Sequence, residues 1–350
     1  MPTMKLSSPL VACLLLLLAG ACQDDGPPPP DVSAIAVDLT LLRFDRALME
    51  VDTTDLEAGL DRLDRRFGSF TDVFFTHLVP VRRGDFSPAE SQRVLRAYLD
   101  YPLTHFVDSV VQTNYAAGTQ VEALSEELAA ALRYYRYYFP TAPVPDTLVT
   151  YAAHFELAAF LYGEGQLAAG LEFFLGPGFD YTQVDPNEPI FSDYLAQSYT
   201  PEHFAGKLLR VLLEDRFPPP AGGRMIDYLV YEGKKLYALE RLLPEVPRHL
   251  VYEVTEDELQ WLEGNETPIY AYLQREDELY STDVNKIRKY TGPAPYSAGM
   301  PRESPGGAVN YLGRQIVASF MAGNPEVSLP ELMAMTDGQE ILRRARYKPR

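Results

Sequence analysis

One carboxylate on a predicted helix, Glu232, stands out as a candidate for chemistry. Met225, Leu229 and Leu236 recur at helical spacing and predict one apolar stripe, on which Glu232 also falls. Burying a carboxylate there is costly unless a partner compensates its charge. Gly233 follows, and a glycine inside a helix costs roughly 1 kcal/mol relative to alanine. Two interpretations stay open. One is a structural ion pair at Glu232 with close packing at Gly233, and the other is a carboxylate that a cleft or ligand once needed.

The motifs of the common enzyme classes are missing from the sequence. The five histidines lie far apart, and none forms H-E-x-x-H, the spacing that places two zinc ligands on one helical face. C-x-x-C, Walker A, G-x-S-x-G and G-x-G-x-x-G are also missing. We therefore expect no catalytic residue, no metal site and no cofactor, although a hidden pair of glycosidase carboxylates stays open. His154 is interpreted as a hydrogen-bonded core or edge residue, and Glu253, four residues after His249, as part of a solvated pair.

The first 32 residues predict a leader and a tether. Lys5 precedes an apolar run that is too short to span a bilayer permanently, and small residues then lead to Cys22. This pattern is typical of a bacterial lipoprotein signal peptide over residues 1–22, with Cys22 lipidated. An ordinary secretory signal with an incidental cysteine is the alternative. Residues 23–32 are acidic and contain four consecutive prolines, which predicts an extended tether.

Charge and hydropathy limit the partners of the remaining domain, residues 33–350. The chain carries 31 basic and 49 acidic side chains, a net charge of −18, which disfavours nucleic acid and anionic membranes. Beyond the leader, no stretch of the sequence is apolar enough to cross a membrane. The predicted membrane attachment is therefore the N-terminal lipid.

The hydrophobic pattern predicts a single α+β domain that is mainly helical, with a small central β-sheet. Strands are predicted over residues 33–42, 148–155 and 166–175, the last two separated by a glycine turn at 163–165. Residues 293–307 are rich in proline and glycine and predict a long ordered loop. Helix starts are predicted where a side chain can cap an N-terminus, at Thr54, Ser87, Thr119, Thr200 and Ser328. Later helices are predicted over residues 256–264, 267–279, 308–321 and 338–345.

Several local motifs carry a resemblance that extends over nearly the whole mature chain. The sequence resembles the gliding motility lipoprotein family GldB of Bacteroidetes. The C-terminal motifs are the most specific, and the predicted lipidation site agrees with the resemblance. The matching segments are Arg43-Phe44-Asp45 with Leu48 and Asp52, residues 225–237, Trp261 with Asn265-Glu266, and residues 279–281, 312–317, 324–329 and 346–349.

GldB-like proteins in turn resemble gluzincin-type zinc peptidases, which implies a degenerate zincin-like fold. In those peptidases a glutamate on a second helix is the third zinc ligand, and Glu232-Gly233 matches that position. The helix over residues 201–216 matches the one that carries H-E-x-x-H. There Leu208, Val211 and Leu212 are expected to fill the face where histidines would lie. The resemblance therefore implies a peptidase-like fold without peptidase chemistry.

The same resemblance implies a vestigial cleft, for which the candidate residues are Glu232, Tyr237 and His154. It also implies a non-catalytic, lipid-anchored envelope protein that supports gliding motility, and through it type IX secretion, by contacts with other envelope proteins. The outer membrane, at its periplasmic face or at the cell surface, is favoured over the inner membrane. The alternatives are a diverged metal-dependent hydrolase and a surface lipoprotein that binds a soluble ligand.

Overall fold

The computed structural model describes residues 28–79, 87–116 and 119–350. Cys22 and most of the predicted tether lie outside these ranges. Residues Asp31–Arg350 form one compact unit. This unit is mainly helical with one small mixed sheet, which confirms the predicted α+β class.

Helices fill the N-terminal part of the unit after one short strand, β1 (Thr40–Arg43). The predicted capping box at Ser87 is present, because its hydroxyl accepts the Glu90 N–H and the Glu90 carboxylate accepts the Ser87 N–H. The box predicted at Thr54 is wrong, since Asp55 caps the helix by accepting the Ala58 N–H. The elements are α1 (Phe44–Met49), α2 (Leu56–Phe67), α3 (Ser69–Val73), a π-helix (Phe74–Leu78), α4 (Pro88–Leu99), α5 (Pro102–Asn114) and α6 (Gln120–Tyr138).

The sheet contains β1, β2 (Thr147–Tyr151), β3 (Ala159–Tyr162) and β4 (Gln166–Gly170). Their order is β1-β2-β4-β3. The β1–β2 and β2–β4 pairs are parallel, and β3 pairs with β4 antiparallel through the predicted glycine turn. β1 and β3 are therefore the edge strands.

The strands are shorter than predicted, for identifiable reasons. The ladder begins where Thr40 pairs with Thr147 at the start of β2, and Pro145, two residues earlier, has no N–H with which to extend it. β2 ends at Tyr151 because the next N–H groups do not bond to a neighbouring strand. Those of Ala153 and Phe155 donate to the Glu172 carboxylate instead.

The second half of the unit is helical, in agreement with the prediction. The predicted helices at 256–264 and 338–345 have the predicted bounds. Three short helices were not predicted, over Asp193–Ala196, Arg248–Tyr252 and Val284–Thr291. The elements are α7 (Asp193–Ala196), α8 (Phe204–Arg216), α9 (Met225–Leu242), α10 (Arg248–Tyr252), α11 (Glu256–Gly264), α12 (Glu266–Arg275), α13 (Val284–Thr291), α14 (Ala308–Gly323), α15 (Leu329–Ala334) and α16 (Gly338–Ala345), with short 3₁₀ turns at Leu171–Phe173, Tyr181–Gln183, Pro189–Phe191, Pro201–His203 and Glu278–Tyr280.

α9 lies at the centre of this half and is buried on nearly all sides. It crosses α14 at two glycines. A Cβ at Gly233 would lie 2.1 Å from the carbonyl carbon of Gly313, and a Cβ at Gly313 would lie 1.9 Å from the Leu229 carbonyl oxygen. Close packing at Gly233, one of the two interpretations drawn from the sequence, is therefore present.

Two hydrophobic clusters occupy the two faces of the sheet. Val149, Tyr151 and Ala168 point into an aromatic cluster with the first four helices. Leu148 and Leu167 alternate with them and point into the larger cluster, which contains α8, α9 and α14. Among the described residues, no helix is long and apolar enough to cross a membrane.

Candidate functional site

A cavity of about 540 Å³ lies between α8, α9 and the edge strand β3. Its remaining wall comes from α7 and the residues after it, from the α10–α11 region, from the start of α14 and from two loop segments, residues 291–294 and 305–307. The volume is in the range of ligand pockets. Its charged wall consists of Lys207, Arg210, Glu214, Glu232, Lys235, Glu253 and Glu258.

Glu232 lies in this wall and is paired within its own helix. Its Oε2 lies 2.9 Å from Lys235 Nζ, one turn further along α9. Lys235 also donates to Glu214 of α8 at 2.6 Å and is buried. One ammonium therefore joins the two carboxylates across the α8–α9 contact. The ion pair inferred as one interpretation of Glu232 is present, and Glu232 also faces a cleft.

A second ion cluster fixes Glu253 against α8. Its carboxylate lies 2.8 Å from Lys207 Nζ and 3.3 Å from Arg210 Nε. Burial acts to raise the pKa of Glu253, but Lys207 and Arg210 outweigh it and lower the pKa to about 2. The predicted solvated pair with His249 is wrong. Glu253 follows α10 in a left-handed conformation (φ 58°), which turns it toward α8.

Two polar groups in the wall keep unused hydrogen-bonding capacity. In the part of the chain that the structure describes, the buried Nε of Arg210 makes no hydrogen bond, although it lies 3.3 Å from Glu253 Oε1. The side chain of Arg210 is 22% exposed, in the cavity wall. Asn310 donates from Nδ2 to the Thr291 carbonyl at 2.9 Å, and its buried Oδ1 has no hydrogen-bond partner among the described residues.

The structure does not bring the three predicted cleft residues together. Tyr237 is five residues after Glu232 on α9, which places it about 140° around the helix. It is buried, and its hydroxyl accepts a hydrogen bond from Arg241 at 3.2 Å. Of the three, only Glu232 lines the cavity.

His154 lies elsewhere, in a left-handed turn (φ 54°) after β2 rather than within a strand. Its Nε2 is 2.8 Å from the Thr104 hydroxyl, and its ring stacks on Tyr98 at 4.9 Å. Because Thr104 already donates to the Tyr98 carbonyl, Nε2 of His154 must be the donor to Thr104. Burial lowers the pKa of His154, so the neutral ring is favoured.

The residues around Glu232 do not fit a zinc ion. The face of α8 toward the cavity carries Lys207, Arg210, Val211 and Glu214. The expected apolar face was wrong, because Leu208 and Leu212 point into the core. A guanidinium and an ammonium beside Glu232 repel a cation and cannot bind one. No group of three or more metal-ligating side chains occurs among the residues described.

The sequence reasoning missed Lys207, Arg210, Glu214, Lys235 and Asn310. The sequence does contain a pattern that marks the three residues on α8. Lys207, Arg210 and Glu214 have the spacing i, i+3 and i+7, which forms a polar stripe beside the apolar one. No comparable pattern marks Asn310, since its position depends on how α14 packs.

Comparison with known proteins agrees with the sequence resemblance. The family model of the gliding motility protein GldB matches residues 25–349. No curated protein and no solved structure matches the chain. Because no solved structure matches, the zincin-like part of the fold prediction stays a prediction. The family model, in contrast, spans almost the whole length of the chain. The protein belongs to the gliding motility GldB lipoprotein family.

Proposed function

We propose that this protein is a non-catalytic, lipid-anchored component of the cell envelope. It supports gliding motility, and through motility proteins type IX secretion, by contacts with other envelope proteins. The observation that carries the proposal is the family match over residues 25–349. The lipidation signal ending at Cys22 and the proline-rich segment after it agree with attachment of the folded unit to a membrane by a tether.

The arrangement of charges in the cavity supports a non-catalytic role. Glu232 and Glu214 share Lys235, and Glu253 is paired with Lys207 and Arg210. A general base needs a pKa near the working pH, and the pKa of Glu253 is held at about 2. Glu253 is therefore better suited to fixing the wall of a binding surface than to proton transfer.

The proposed location is the outer membrane, at its periplasmic face or at the cell surface. A net charge of −18 disfavours direct binding of the folded unit to anionic lipid. The attachment would then come from the acyl chains at Cys22, and the rest of the surface would be available to protein partners.

Deletion of the gene in its native host tests the proposal. We expect loss of colony spreading together with loss of type IX cargo from the secreted proteome. Both should return on expression of the wild-type protein and of Glu232→Ala. Lys235 keeps Glu214 as its partner in this variant, so the fold should tolerate the change.

An immunoblot of the membrane fraction controls for the amount of each variant. Normal spreading and normal secretion in the deletion strain would contradict the proposed function. If Glu232→Ala reached wild-type amounts and still failed to restore spreading, the expectation that Glu232 is dispensable would be wrong. A purified protein that binds zinc at one equivalent and loses it on Glu232→Ala would instead support a hydrolase.

A further inference from the structure

A second cavity, of about 440 Å³, lies beside a different face of α9. Asp227, Tyr231 and Lys234 line it, and their spacing of four and three residues places them on one side of the helix. The rest of its wall comes from the end of α8, the loop over residues 217–221 and the C-terminal end of α15. The volume is in the range of ligand pockets, and none of the described residues that line it also lines the cavity at Glu232.

The wall of this second cavity contains a buried cation whose partners are neutral. Lys234 is 4% exposed, and its Nζ donates to the carbonyl oxygens of Met333 at 2.9 Å and of Met335 at 2.5 Å. These carbonyls lie at the end of α15, where a helix leaves its last acceptors unpaired, so Lys234 caps that helix. Within the described residues, Lys234 forms no ion pair, and burial lowers its pKa to about 8. The ammonium therefore keeps its charge at pH 7 without a counterion, which is costly.

Most of the surrounding wall is apolar and offers no competing donor. Three consecutive prolines, Pro218–Pro220, line the cavity, and proline has no N–H. The hydroxyl of Tyr231 donates to the Phe217 carbonyl at 3.1 Å and is thus already engaged. Val230 and the side chains at the end of α15 add further apolar surface. An occupant of this cavity must therefore have an apolar body.

The charges of the lining favour one negative group on that body. Asp227 is the carboxylate in the lining, and it is compensated by Arg224, whose Nε lies at 3.2 Å, and by the Gly338 N–H at 2.9 Å. The two cations of the lining are Arg216, which is exposed, and the buried Lys234. The two carbonyls use two of the three N–H groups of an ammonium, so one remains for an occupant. This excess of positive charge occurs in a chain whose net charge is −18.

We propose that the second cavity binds a small carboxylic acid with an apolar body, whose carboxylate lies beside Lys234 as its counterion. The apolar part packs on the proline rings and on Val230. A dianion such as a phosphate monoester fits poorly, because one buried ammonium cannot compensate a second buried charge. The inferred site is separate from the Glu232 cavity and does not depend on the proposed role in motility.

Isothermal titration calorimetry of the full-length lipoprotein in detergent, with benzoate, phenylacetate, hexanoate and octanoate, tests the proposal. The alcohol of the same skeleton is titrated beside each acid, since it has the apolar body without the charge. Lys234→Gln is measured in the same detergent, so that partition into micelles cancels. At least one acid should bind the wild type saturably, and Lys234→Gln should weaken that binding roughly ten- to a hundredfold, because a charged hydrogen bond is lost. Lys289→Gln, at an exposed position outside the cavity, is the matched control.

A second variant blocks the cavity and leaves the lysine in place. Ala334 lies in the wall and is exposed, so Ala334→Trp should fill part of the space and abolish binding without disturbing the core. Ala123→Trp, at an exposed position of α6 outside the cavity, controls for the added indole and should bind the acid as the wild type does.

The pH dependence of binding identifies the group that pairs with the acid. Affinity for the wild type should fall as pH rises above about 8, because Lys234 then loses its proton while the carboxylic acid stays ionised. The other titratable groups of the lining do not produce this fall. A guanidinium such as that of Arg216 keeps its charge, burial raises the pKa of Tyr231, and Asp227 stays paired with Arg224. Lys234→Arg should still bind the acid and should lose the fall.

The proposal is overturned if none of the acids binds saturably, if an acid and its alcohol bind equally tightly, or if Lys234→Gln binds the acid as the wild type does. Wild-type affinity in Ala334→Trp would place the acid outside this cavity and would overturn it as well. Thermal unfolding of each variant is compared with the wild type. If Lys234→Gln is destabilised because α15 loses its cap, Ala334→Trp and the pH dependence of the wild type decide the question.

Discussion

Glu172 is the carboxylate whose environment departs furthest from water. It has no exposed surface, and its Oε1 accepts the N–H groups of Ala153 at 2.6 Å and Phe155 at 3.3 Å. Oε2 has no hydrogen-bond partner in the described part of the chain. Burial raises the pKa of Glu172 to about 7, against the effect of these backbone hydrogen bonds. The folded state therefore favours the protonated form below about pH 7.

This raised pKa predicts that stability falls as pH rises. Below about pH 4.5 both the folded and the unfolded states hold the proton, so Glu172 imposes no penalty. Between about pH 4.5 and 7 the unfolded state ionises first, and the free energy of unfolding decreases. The full loss, reached above pH 7, is on the order of 3 kcal/mol.

Glu172→Gln should remove most of this pH dependence, because an amide keeps the acceptor for Ala153 and does not ionise. The measurement is urea unfolding at pH values from 5 to 8, with the exposed Glu164→Gln as the control, which should follow the wild type. A Glu172→Gln protein that kept the wild-type slope would show that another group titrates.

At the scale of single residues, the sequence singled out Glu232 correctly as a carboxylate that needs a partner. Lys235 lies one turn further along the same helix, but the sequence could not name Glu214, because Glu214 lies on another helix. The prediction of a solvated pair at Glu253 was wrong for a related reason. Its left-handed backbone at the end of α10 is rare for a non-glycine residue and has no sequence signature here.

At the scale of elements, the α9–α14 crossing depends on Gly233 and Gly313. Gly233→Ala should lower the free energy of unfolding by about 1–3 kcal/mol, since the added methyl group meets backbone rather than a movable side chain. This loss outweighs the gain of roughly 1 kcal/mol that alanine brings to an isolated helix.

Gly206→Ala on α8 is the matched control for that substitution. A Cβ there would lie 3.7 Å from Leu243 Cδ1, an ordinary contact, so stability should rise by up to about 1 kcal/mol. Chemical denaturation measures both variants. Equal effects of the two substitutions would contradict the close helix crossing.

The elements predicted best are those with strong local signals. Capping boxes at Ser87 and Ser328 place α4 and α15, and both boxes are present. α13 was missed, although Asp283 caps it by accepting the Asn285 N–H. The strands were predicted too long, because a strand ends where its partner ends, and the partner of β1 lies about a hundred residues away.

At the scale of the whole molecule, attachment to the membrane through Cys22 should not affect the stability of the folded unit. Residues Asp31–Arg350 form one compact unit, and Cys22 lies outside it. Cys22→Ser should therefore leave the thermal unfolding of this unit unchanged, yet abolish palmitate labelling and recovery in the membrane fraction. Motility should then fail, since the protein is no longer held at the envelope.

Cys13→Ser is the control for this experiment, because the predicted signal peptide is removed with Cys13 in it. It should label with palmitate as the wild type does. Labelling that persisted in Cys22→Ser would contradict the predicted lipidation site.

The sequence by itself determined the predicted leader, the mainly helical class, the family and the importance of the Glu232 helix. Each of these depends on local spacing or on motifs that are continuous along the chain. Only the tertiary structure decided that Lys207, Arg210 and Glu214 line one cavity with Glu232, that His154 and Tyr237 lie elsewhere, and that β3 is an edge strand beside the cavity. These facts depend on which helix faces pack together, and packing joins residues that are distant in sequence.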